Sequence, residues 1–164
     1  MSEPTYLDQG AVFSPDGVYR YALWRCWDAA KPLVGFNLCN PSKADAEKLD
    51  PTLRRVLGFS QAWGFGGFWI GNIFGLKSTD PSALYQVEDP VGPENDRHLD
   101  EIAARCSLLV AGWGVHGKLK HRGDTVRRRL ANAGRALYVL RLSKDGHPAH
   151  PLYLPGSLEP KPWR

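Results

Sequence analysis

Cysteine is scarce in this sequence, acid is scarce in its last third, and long apolar runs are missing. Three cysteines, Cys26, Cys39 and Cys106, form no CxxC pair, which excludes a self-contained four-thiolate zinc or iron–sulfur site. Each sits in or beside an apolar stretch, the setting of a buried thiol kept reduced. No uninterrupted apolar run approaches the roughly 18 residues of a membrane-spanning helix. Met1-Ser2-Glu3-Pro4-Thr5 has neither the basic nor the apolar region of a signal peptide. A cytoplasmic protein without a membrane partner is expected. Internal repeats and low-complexity segments are absent. The 164 residues suffice for one core that buries roughly 70% of the unfolded chain's surface, and residues 1–164 are read as a single domain.

The shortage of acid is local. Residues 101–164 carry 4 Asp and Glu against 12 Lys and Arg, whereas residues 1–100 carry 13 against 9. Lys118, Lys120, Arg122, Arg127, Arg128, Arg129 and Arg135 lie in one stretch whose single acid is Asp124. Such a stretch neutralises phosphates if it faces a nucleic acid, and is otherwise a solvated helix face.

Glycine and proline, at 17 and 13 residues, punctuate the chain. Ala11-Val12-Phe13 and Tyr19–Trp27, around Asp16-Gly17, read as an antiparallel hairpin at a sheet edge. Leu33–Cys39 is a buried strand stopped at Asn40-Pro41, because proline has no N–H to continue a ladder. Asp50 caps and Pro51 begins a helix to about Trp63, with Leu53, Val56 and Leu57 at helical spacing. Strand Phe68–Phe74, a short turn at Pro81–Tyr85, an amphipathic helix Glu94–Cys106, a buried strand Ser107–Gly114, a basic helix Asp124–Ala133 and a last strand Ala136–Leu142 follow. The proline-rich tail from Ser143 is expected to be an ordered loop. The order β-β-β-α-β-α-β-α-β predicts an α/β three-layer sandwich, with a mostly parallel central sheet and an N-terminal antiparallel hairpin. Asn40, Asn72, Trp113-Gly114 and the segment after Leu142 then share the rim at which such folds bind ligands, and Asn40 and His150 can meet across a cleft.

The loop between Asn40 and Pro51 exceeds the two to six residues a plain connection needs. Asn40, Ser42, Asp45 and Thr52 supply it with polar groups, for a ligand or for capping their own backbone. Gly112-x-Gly114-x-x-Gly117 has the dinucleotide spacing, but Leu140-Arg141-Leu142 ends in no acid, so a dehydrogenase is rejected and no cofactor is expected. His147-x-x-His150 stands without CxxC or HExxH, and no metal is expected.

The succession LCNPSKAD, DPT, WGFGGFWIGNIFGLKSTDP, DPVGPEND, WGVHG and SKDGHPAHPLYLP resembles the bacterial and phage domain-of-unknown-function family numbered 1643 over nearly the whole chain. More distantly, the layout is similar to the uracil-DNA glycosylase superfamily. That likeness implies a uracil-DNA-glycosylase-like fold, a water positioned by Asn40, a late His-Pro histidine at His150, and Asn72 as the polar residue at the second strand end. The chain departs from it at Ser42, where the superfamily has glycine, and at Leu152, where it has serine.

Hydrolysis of an N-glycosidic bond builds positive charge on the sugar and negative charge on the departing base. An amide such as Asn40 orients water without titrating, and His150 can donate to the base or to a phosphate. Asp45 and Asp50 could serve as base or cation stabiliser, or as turn former and helix cap. Reaching a base in a duplex requires flipping it onto an aromatic surface, for which Trp113, Trp69, Phe74 and Tyr153 are candidates beside Gly114, with Lys118, Lys120, Arg122, Arg127, Arg128 and Arg129 holding the DNA backbone. The expected partner is DNA or a nucleotide. A DNA glycosylase-like hydrolase serving DNA repair or phage defence, a non-catalytic binding module and an enzyme on free nucleotides all remain open.

Overall fold

A computed structural model describes residues 3–43 and 47–164. Its strands are β1 (Asp8–Phe13), β2 (Arg20–Cys26), β3 (Leu33–Leu38), β4 (Gly67–Asn72), β5 (Leu108–Ala111), β6 (Tyr138–Val139) and β7 (Lys161–Pro162), and its α-helices are α1 (Pro51–Ala62), α2 (Asn95–Arg105) and α3 (Arg122–Asn132). The strands form one mixed sheet in the order β1-β2-β4-β3-β5-β6-β7. The inner strands β4, β3, β5 and β6 run parallel. The β1-β2 hairpin joins β4 antiparallel on one side and β7 joins β6 antiparallel on the other.

Alternation along β3 assigns the two faces. Val34, Phe36 and Leu38 pack with Leu53, Val56, Leu57 and Phe59 of α1. A Cβ on Gly35, pointing the other way, would meet Ile102, Cys106 and Leu109, in the core built by Leu99 and Ile102 of α2 and Val126 and Leu130 of α3. Helices therefore cover both faces, α1 on one and α2 with α3 on the other. Helix α1 starts where the sequence predicts: the Asp50 side chain accepts the Leu53 N–H at 2.8 Å and Pro51 takes the first helical position. Such a cap stabilises by about 1 kcal/mol.

The predicted last strand is much shorter than Ala136–Leu142. Only Tyr138 and Val139 pair with β5, because β5 ends at Ala111. Beyond Val139 the chain turns back on its own tail, with the Ala149 N–H donating to Arg141 O and the Ser143 N–H to His147 O. The tail, expected to be loop, contains a 3₁₀ turn at Pro151–Tyr153 and the strand β7, whose Pro162 is tolerated at a sheet edge. All three cysteines are free; Cys106 is buried, while Cys26 and Cys39 are half-buried. Burial pushes the Cys39 and Cys106 thiols up to about 12. Among the described residues no helix is long and apolar enough to cross a membrane.

Candidate functional site

The carboxyl ends of β3 and β4 are clasped together. The N–H groups of Ile73, Phe74 and Ser78 donate to the carbonyls of Leu38, Cys39 and Pro41, each at 2.9 Å. Behind β4, buried Asn95 donates from Nδ2 to Asn72 O at 2.7 Å, and Arg122 donates from Nε to Ile73 O at 2.6 Å. Between these strand ends, the start of α1 and the returning tail lies a small cavity of ≈ 70 Å³, lined by Arg20, Asn40, Pro41, Ser42, Asp50, Thr52, Asn72 and His150 together with Leu38, Leu53 and Ile70. At about 30 Å³ per water, it takes a few waters or one small reacting group.

Asn40, Ser42, Asn72 and His150, predicted as site residues from separate parts of the chain, thus meet at one cavity. Asn40 is oriented by three carbonyls: its Nδ2 donates to Ser78 O at 2.9 Å, Pro41 O at 3.2 Å and Leu76 O at 3.4 Å. Carbonyl oxygens can be partnered only by the NH₂ end of the amide. Oδ1 is then left as an acceptor for water.

His150 is fixed in a comparable way. Its Nδ1 accepts the Leu152 N–H at 3.1 Å, capping the Pro151–Tyr153 turn. A nitrogen that accepts carries no proton, so the neutral ring has its hydrogen on Nε2 and offers a donor. Burial lowers the His150 pKa from its usual value, with Asp50 opposing. Below pH about 6.5 the unfolded chain takes up a proton that the folded histidine resists. Stability is accordingly full above that pH and falls as pH drops toward the folded value. His98, lowered chiefly by burial and next by Arg97, adds to the same decline. Thermal melts between about pH 6.5 and 5 should show a fall in Tm that His150→Gln makes shallower; a slope unchanged by that substitution would contradict the buried neutral imidazole.

Arg20, which the sequence does not mark as a site residue, also lines the cavity. This residue is 7% exposed, and burial pulls its pKa below the usual arginine value, with the charge of Asp50 opposing. Among the described residues its guanidinium has no hydrogen bond, and no carboxylate lies within ion-pair distance. Its guanidinium nitrogens reach water rather than a dry core, so its donors stand open to a ligand. The sequence does not separate Arg20 from Arg25 on the same strand, which is buried too and serves structure by binding Tyr6 and Glu3.

Other predicted residues lie elsewhere. Asp45 falls outside the described residues. Trp113 is 3% exposed and belongs to the core, packed on Trp163 with ring centroids 5.6 Å apart. A Cβ on Gly123 would come within 2.7 Å of its indole, and one on Gly117 would collide with it. Those glycines make room for Trp113, not for a ligand, and its ring cannot serve as a stacking platform. Gly114, at φ 69°, donates its N–H to Pro148 O and does not line the cavity. Phe74 is fully buried, and Trp69 lies between Trp24 and the Arg105 guanidinium. Tyr153 stands outside the cavity at 85% exposure.

The basic segment is largely spent on the fold. Arg122 is 6% exposed and pairs with Asp96 at 2.5 Å, so it is not a backbone-binding residue. Arg129 is bidentate to Asp100. Arg127 lies 3.9 Å over the Trp163 ring and donates to Trp163 O. Lys120 donates to Glu88 O. Lys118 and Arg128 are exposed and, among the described residues, have no hydrogen bond or ion pair.

Comparison with curated proteins and with solved structures finds no match. The family model described as Protein of unknown function (DUF1643) matches residues 20–152, a span that includes every residue lining the cavity, and the chain belongs to that family.

Proposed function

We propose that the protein hydrolyses the N-glycosidic bond of a nucleobase-bearing substrate. The observation that carries this reading is the pairing, at one cavity, of an amide whose free end is an acceptor with a neutral histidine whose free nitrogen is a donor. Asn40 Oδ1 orients a water, whose oxygen attacks C1′ of the sugar as the C1′–N bond breaks. The electron pair leaves with the base, where the His150 Nε2–H donates to it. The water's proton passes to Asp50, whose Oδ1 is used in capping α1 and whose other oxygen faces no partner among the described residues. The distant likeness to the uracil-DNA glycosylase superfamily supports the same chemistry.

Duplex and single-stranded oligonucleotides carrying uracil, mismatches and phage-type modified bases, together with free nucleosides, test the proposal. The expected result is release of free base, leaving an alkali-labile abasic site when the substrate is DNA. Binding without product on every member of the panel would instead identify a binding module. The internal use of Arg122, Arg127 and Arg129 favours a second reading, an enzyme on free nucleosides or nucleotides, and product from these with none from DNA would establish it.

A further inference from the structure

Asn40 and His150 have tasks in this chemistry, whereas Arg20 has none. It is more than nine-tenths buried, lines the cavity and presents up to five N–H donors in a planar fork that no described residue meets. Around it the cavity offers further donors: the hydroxyl of Thr52, the amide of Asn72 and the histidine Nε2–H. Its surroundings also fix the charge that would fit. Asp50 is the one carboxylate among the described lining residues, Arg20 the one full cation, and His150 is neutral.

We infer that the cavity binds, through Arg20, the singly charged anionic edge of a larger group seated at its mouth, either the phosphodiester of a nucleic-acid backbone or the nucleobase anion released by the proposed reaction. A second negative charge would face Asp50 with no further cation among the described lining residues to offset it, which disfavours a phosphate dianion. The guanidinium fork matches two oxygens of a phosphodiester, or a ring nitrogen and carbonyl oxygen of a base anion, equally well. The inference rests on the proposed function for the identity of the group, not for its charge.

Thermal melts with added anions test it without any need for turnover. The probes are dimethyl phosphate, a phosphodiester monoanion, and 5-nitrouracil, a base that is an anion at neutral pH. At about ten times the dissociation constant, the effective anion should raise the wild-type Tm by roughly 3–5 °C. Arg20→Gln should abolish the rise, and Arg20→Lys, which keeps the charge without the fork, should retain part of it. A rise with dimethyl phosphate assigns the backbone, and one with 5-nitrouracil assigns the leaving base. If neither shifts the wild type, or if Arg20→Gln responds as the wild type does, the inference is overturned. Should Arg20→Gln not fold, the Arg20 Nε–H resonance of the wild type moves on titration with the same anions or overturns the inference by standing still. An Arg20-dependent shift without glycosidic product would remove the proposed reaction and leave the anion site. Product without such a shift would do the opposite.

Discussion

Asn40→Ala is expected to lower kcat on the identified substrate by roughly 10²–10³-fold, the range for losing a group that positions a reactant in the transition state. The Michaelis constant should change little, because the amide contacts the attacking water and not the bulk of the substrate. The same change removes the two amide N–H groups shared among the Pro41, Leu76 and Ser78 carbonyls; Pro41 O keeps the Ser78 N–H, and the loss at the other two costs about 1–2 kcal/mol. A Tm lower by about 2–8 °C should therefore accompany the kinetic loss. Assays well below the lowered Tm separate the two effects. A kcat within about threefold of wild type would remove Asn40 from the mechanism.

Arg122→Ala should show the largest loss of stability, about 3 kcal/mol, with a Tm lower by roughly 6–12 °C. The Arg122 guanidinium joins Asp96 of α2 to the Ile73 carbonyl just past β4. Truncation leaves that buried carbonyl with only the longer 3.3 Å bond from Asn95 Nδ2 and Asp96 without its short partner, although Asp96 is partly solvated and keeps a 3.8 Å contact with Arg129. Arg122→Met, which restores volume without charge, should recover part of the loss. Chemical denaturation of both variants provides the measurement. A change below about 0.5 kcal/mol, the usual size for a surface substitution, would return Arg122 to the solvated face.

Most of the architecture could be read from the sequence, because hydrophobic period and punctuation carry it. Asp50-Pro51 opens α1 and the alternation in residues 33–38 marks a two-sided buried strand, and both are local signals. The convergence of Asn40, Asn72 and His150 was also legible, since parallel strands bring their carboxyl ends to one rim. What escaped was pairing between side chains distant in sequence. Arg122 looks like its neighbours Arg127 and Arg128 until Asp96 and Ile73 come alongside. Trp113, flanked by glycines, looks like a ligand platform until Gly117 and Gly123 close over its ring. Arg20 was hidden for the same reason, because only the folded chain shows that no described carboxylate comes within ion-pair distance of it. The shortened β6 depended on where β5 stops, which the composition of residues 136–142 does not encode.

The place of β4 in the sheet bears on how the protein emerges from the ribosome. Strands β2 and β3, consecutive in the chain, do not touch in the ladder, because β4 lies between them, antiparallel to one and parallel to the other. Until residues 67–72 are made, β2 has an open edge and β3 has two. At roughly 5–20 residues per second, the 34 residues from 39 to 72 leave the β4-facing edge of β3 unsealed for about 2–7 s, and the β5-facing edge stays open longer still. Helix α1 is synthesised within that interval and carries the apolar face that covers Val34, Phe36 and Leu38, so it shelters the nascent strand before its permanent neighbour arrives.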